Sequence, residues 1–66
     1  MPQITLNGEG RQTAATTVAE LVQELGYAGQ AVAVERNREL VPKAQHEATA
    51  LEEGDELELV TLVGGG

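Results

Sequence analysis

Cysteine is absent from all 66 residues, and so are phenylalanine and tryptophan; Tyr27 is the single aromatic side chain. Without thiols the chain has no disulfide, no cysteine zinc site, no iron–sulfur cluster and no thiolate nucleophile. One histidine, His46, cannot build a multi-histidine metal site. Basic residues are scarce as well. Four Lys plus Arg stand against eleven Asp plus Glu, for a net charge of −7. Nucleic acids and anionic membranes are held by clustered Lys and Arg, so neither is an expected partner. The negative charge suits a basic partner surface and also favours solubility. No run approaches the roughly 20 apolar residues of a membrane span. Met1-Pro2-Gln3 does not open a basic-then-apolar signal segment, so the expected compartment is the cytoplasm.

What is present is one small domain's worth of aliphatic residues. The apolar fraction is 41%, and with aromatics all but missing the core must be Val, Leu, Ile and Ala. A chain this short buries only about 60% of its unfolded surface, so its stability is modest. Ile4 and Leu6 alternate with Gln3, Thr5 and Asn7, predicting a half-buried strand over 3–7. Asn7-Gly8-Glu9-Gly10 is a turn signal, and Arg11 to Ala14 returns as a second strand of a hairpin. Thr17-Val18-Ala19-Glu20 fits a capping box, with Thr17 as N-cap and Glu20 reaching back to it. Val18, Leu21, Val22 and Leu25 form one apolar stripe, and Gly26 is placed to end the helix in a left-handed conformation. Ala31 to Val34 reads as a strand, Arg36-Asn37 as a turn, and Glu39 to Val41 as a returning strand stopped by Pro42. Lys43 to Ala50 is a loop or a single helical turn, and Glu52 to Asp55 a turn. Glu56 to Val63 is the last strand, followed by Gly64-Gly65-Gly66.

The element order is therefore strand, strand, helix, strand, strand, strand. One helix with one apolar stripe must cover one face of a mixed sheet, which is an α+β fold. The first and last strands can lie side by side and parallel in its middle. With Leu57 and Leu59 facing the helix, Glu58, Val60 and Leu62 face outward, an apolar patch rimmed by acid of the kind that marks a protein contact. The bland alternative makes Val60 and Leu62 plain sheet core. Glu52, Glu53 and Asp55 read as a solvated turn rather than a cation site, and Arg36 and Arg38 as solvated hairpin charges. His46, with no carboxylate cluster near it in sequence, reads as an exposed or partly packed loop residue and not a ligand. No pair of groups has the look of a positioned acid and base or nucleophile, so no catalytic side chain is expected. On composition alone, Gly64 to Gly66 would be a frayed end.

The ordered set of these pieces resembles the ubiquitin-like β-grasp sulfur carriers, and among them those of thiamine biosynthesis. The resemblance rests on the Gln3–Asn7 strand, the Thr17-Val18-Ala19-Glu20-Leu21 helix start, Val32-Ala33-Val34 with Asn37, Leu40-Val41-Pro42, Glu53-Gly54-Asp55 and the final Val63-Gly64-Gly65-Gly66. Three features depart from the pattern. A large aromatic residue is usual soon after the proline, where His46 stands; the usual Asn-Gly turn is Asn37-Arg38; and Gly64 is an extra glycine.

The resemblance implies a β-grasp domain over 1–63, with a mixed sheet of four to five strands and one helix packed across it, and a tail over 64–66. It implies that the Gly66 carboxylate is the working group, with Gly64 and Gly65 as the threading tail and Glu58, Val60 and Leu62 as the docking face. The carboxylate would be adenylated and converted to a thiocarboxylate. The implied partners are a ThiF-like adenylating enzyme, a ThiG-like thiazole synthase and a sulfur donor protein. ATP and Mg²⁺ would be used by the adenylating partner, with no cofactor or metal held by this chain, which would be a carrier and not an enzyme. The chain itself has no phosphate-binding loop, since its glycines do not lead into a Lys and a helix. Two rival readings remain at this point: the small subunit of molybdopterin synthase, for which the chain is short, and a non-carrier interaction module with an inert tail.

Overall fold

The computed structural model describes residues 2–62. The expected tail, Gly64 to Gly66, and the expected end of the last strand at Val63 lie outside them. Five strands, β1 (Gln3–Leu6), β2 (Glu9–Gln12), β3 (Val32–Arg36), β4 (Glu39–Val41) and β5 (Glu56–Thr61), form one mixed sheet in the order β2-β1-β5-β3-β4. The helix α1 (Val18–Glu24) crosses one face. β1 and β5 are the parallel pair at the centre, and the other neighbours are antiparallel.

Both hairpins close through two residues with positive φ, the geometry that matches strand twist. In the first, Leu6 pairs Glu9 around Asn7 (φ 51°) and Gly8 (φ 85°). This tight turn starts β2 at Glu9, two residues before the strand expected from Arg11. In the second, Arg36 pairs Glu39 around Asn37 (φ 52°) and Arg38 (φ 70°). The turn thus falls one residue later than Arg36-Asn37, and Arg36 stays in the ladder.

The start of α1 is capped from two sides. Thr17 is extended, and its hydroxyl accepts from the Glu20 N–H at 3.2 Å. The Glu20 carboxylate passes Thr17 and accepts from Thr16 instead, from its N–H at 2.7 Å and its hydroxyl at 2.9 Å, because Thr16 offers two donors at one place. The Val18 and Ala19 N–H groups, orphans of the first turn, donate to Thr49 and His46 carbonyls at 3.0 and 2.9 Å. The helix ends as expected at Gly26 (φ 87°). Tyr27 N–H returns to Val22 C=O and Gly26 N–H to Gln23 C=O, both at 3.0 Å, a Schellman closure that also sets Tyr27 against the core.

The core is aliphatic as composition requires. Ile4, Val18, Leu21, Val34 and Leu57 are sealed, with Val22, Val41, Leu51 and Leu59 around them. Full burial of each such side chain stabilises the fold by about 1.5–3 kcal/mol. After Pro42 a 3₁₀ turn, Lys43–Gln45, delivers His46. The expectation of an exposed or partly packed loop histidine is overturned. His46 is buried, and its Nε2 lies 3.0 Å from the Val41 carbonyl. A carbonyl only accepts, so Nε2 carries the proton.

Candidate functional site

The outward face of β5 is set by strand pleating, which sends successive side chains to opposite sides. Leu57 and Leu59 point into the core. Glu58 faces solvent, as do Val60, 59% exposed, and Leu62, 53% exposed. The alternative of a sheet covered on both faces is thereby excluded at these two positions. β4 adds Leu40, 67% exposed, a position that strand alternation along β5 does not reveal. The register puts Leu40 opposite Glu35 and Val60 opposite Ala33, so the apolar ground extends across three strands. Gly64, Gly65 and Gly66 follow this face in sequence but lie outside the described residues.

Two asparagines fasten β5 from either side, a role their reading as turn residues did not reveal. Asn7 ends the β1 ladder by donating its backbone N–H to Leu57 C=O at 2.9 Å. Its side-chain amide then serves as one more strand residue. Oδ1 accepts from Leu59 N–H at 2.9 Å and Nδ2 donates to Leu59 C=O at 3.2 Å. Asn37 acts likewise at the other end. Its N–H donates to Glu56 C=O at 2.7 Å, and its Oδ1 accepts from Glu56 N–H at 2.9 Å. Past Asn7 a groove of about 290 Å³ runs beside β5, lined by Leu6, Leu25, Tyr27, Leu59 and Thr61.

Asp55 is the second correction to the sequence reading. It is buried, not solvated, and it accepts from Arg36 Nε at 2.7 Å, Asn37 Nδ2 at 3.1 Å and Glu52 N–H at 2.8 Å. Burial works to raise its pKa, but these donors outweigh it and hold the carboxyl below the usual range. Arg36 is correspondingly half-buried and paired, not a free hairpin charge. At the far edge Glu24 is also held low, by Arg11 first and by the Thr13 hydroxyl second, which ties β2 to the end of the helix. Among the described residues no group of three or more His, Asp or Glu side chains is placed to hold a metal ion. No helix among them is long and apolar enough to cross a membrane.

A protein-family model described as the ThiS family matches residues 4–66. A crystal structure of thiamine biosynthesis protein ThiS from Geobacter metallireducens superposes with a TM-score of 0.80 at 31% identity, covering 97% of this chain and 99% of that one. An NMR solution structure of a thiamine biosynthesis protein from the same organism gives 0.78 at 31% identity, covering 97% and 87%. Two proteins named thiazole synthase are also similar. The one from Paramagnetospirillum magneticum is 46% identical over 65 residues, and the one from Magnetococcus marinus 43% over 65 residues. In both the match covers 97% of this chain but only 20% of the relative, so the chain spans one fifth of their length.

Proposed function

The chain belongs to the ThiS family, and from that premise we propose that it carries sulfur for thiazole formation in thiamine biosynthesis, on the carboxylate of Gly66. The observation that carries the reading is the family match over residues 4–66; the exposed apolar face on the strand that precedes Val63-Gly64-Gly65-Gly66 in sequence supports it.

A terminal carboxylate is ionised at neutral pH, with a pKa near 3.5, and is a poor electrophile. Its oxygen attacks the α-phosphate of ATP, pyrophosphate leaves, and an acyl-adenylate forms. A sulfide-equivalent nucleophile from the donor protein attacks the acyl carbon and AMP leaves with its oxygen, giving the thiocarboxylate. The cationic groups and Mg²⁺ that steady the phosphates belong to the ThiF-like adenylating enzyme. This chain contributes the acyl group and its delivery, as a protein co-substrate working in the cytoplasm. Glycine serves at 64–66 because a residue without Cβ enters a channel that side chains would block. Three extended residues reach about 10 Å. Ordering them costs about 1 kcal/mol or more per residue, which docking through Glu58, Val60 and Leu62 offsets. The acceptor of the sulfur is a ThiG-like thiazole synthase. The two similar proteins that bear that name, each containing a stretch like this chain, support a working association of the two parts.

The test is intact-mass spectrometry after incubation with ATP, the adenylating enzyme and a sulfur donor. The expected result is a gain of about 16 Da, oxygen replaced by sulfur on the carboxyl group, lost when Gly66 is deleted. An unchanged mass under conditions where the enzyme modifies its established carrier refutes the reading.

A further inference from the structure

Glu35 on β3 and Glu58 on β5 stand directly opposite one another in the antiparallel ladder, both exposed on the outward face. Glu56, two residues before Glu58, shares that face. Directly opposed like charges destabilise a sheet. Among the described residues the ion pairs join Arg11 to Glu24 and Arg36 to Glu52 and Asp55; none reaches Glu35, Glu56 or Glu58. Leu40 flanks Glu35 on one side, and Val60 follows Glu58 along the strand, so the carboxylates sit among exposed apolar side chains.

We infer that Glu35 and Glu58 together receive an arginine from the protein onto which this face docks, with Leu40, Val60 and Leu62 as the apolar ground around it. The inference rests on the carrier reading and deepens it by stating what the docking partner must present. Arginine fits better than lysine for two reasons. Its planar fork can donate to two carboxylates at once, and its guanidinium is weakly hydrated and tolerates an apolar surround. Repulsion in the free chain becomes attraction in the complex, and the same charges steer encounter with a basic surface.

The experiment measures association of the full chain with the adenylating enzyme by surface plasmon resonance at low and high salt. It compares wild type, the double variant Glu35→Gln/Glu58→Gln, and a control, Glu9→Gln/Glu47→Gln, which removes the same net charge from exposed positions elsewhere. The double variant is expected to associate about tenfold more slowly at low salt and to lose most of the salt dependence. The control should keep most of both. Free in solution, the double variant should melt no lower than wild type, which separates lost docking from lost folding. The inference is overturned if the double variant keeps the wild-type rate and salt dependence, or if the control loses as much. Should the double variant bind normally while the mass gain at Gly66 persists, only this inference falls. If the wild-type chain neither binds nor gains mass, the carrier reading falls with it.

Discussion

Replacing Asn7 by glycine tests whether a turn residue braces the strand that carries the working face. Asn7 has φ 51°, which glycine adopts without strain, so Asn7→Gly removes the side-chain amide and leaves the turn. The amide makes two bonds to the Leu59 backbone, at 2.9 and 3.2 Å. At about 1 kcal/mol net for each, with about 0.5 kcal/mol for glycine's extra freedom when unfolded, the loss comes to about 2.5 kcal/mol. A chain of this length has about 3–10 kcal/mol to lose. With a urea slope of about 1 kcal/mol per molar, the midpoint falls by about 2.5 M. Far-UV circular dichroism is the suitable probe, because the chain has no tryptophan. Asn7→Asp should fall between, since a carboxylate still accepts from Leu59 N–H but no longer donates to its carbonyl. Native-state exchange locates the effect. The Leu59 amide should lose at least about tenfold more protection than that of Leu62, which donates to Ala31 C=O on the opposite side of the strand. If Asn7→Gly unfolds within about 0.3 M of wild type and Leu59 stays protected, the amide is no brace and water serves Leu59 equally well.

Asp55→Asn should cost about 2–3 kcal/mol, read as a lower urea midpoint, because a half-buried Arg36 loses its counter-charge. The acid limb of stability follows from the same residue. Asp55 and Glu24 both have folded pKa values below their unfolded ones, so their stabilisation is full above about pH 5 and is lost as pH falls from there through the lowered values. Melting temperatures should therefore be insensitive to these groups from about pH 5 to 8 and fall below that range, and Asp55→Asn should flatten the fall. Arg38→Gly should raise stability by about 0.5–1 kcal/mol, a rise of about 3–6 °C in Tm, because Arg38 sits at φ 70° where a side chain is strained. An unchanged or lower Tm shows that the turn holds no such strain.

Much of the fold is legible in the amino-acid pattern. The helix stripe of Val18, Leu21, Val22 and Leu25, its stop at Gly26 and the inward Leu57 and Leu59 all follow from the pitch of a helix or the pleat of a strand, which a local pattern reports faithfully. At two places local reading slipped through short-range competition, whereas His46 and Asp55 were misplaced because their burial depends on tertiary packing. Asn7-Gly8 closed a two-residue turn and brought β2 forward, and Thr16 outbid Thr17 for the Glu20 carboxylate. The candidate face was legible in half: Glu58, Val60 and Leu62 came from alternation along one strand, whereas Leu40 and Glu35 joined them only through pairing with neighbours.

The amino-acid sequence by itself determined the aliphatic core, the α+β class and the side of the last strand turned to solvent, because each depends on periodicity within a few residues. Tertiary structure decided that Asn7 would hold Leu59, that Asp55 would bury itself against Arg36, and that Glu35 would face Glu58. Those partners are 52, 19 and 23 positions apart, and what joins them is the strand order β2-β1-β5-β3-β4 and its register. Register is a property of two chains of residues laid side by side, so no pattern along either one contains it.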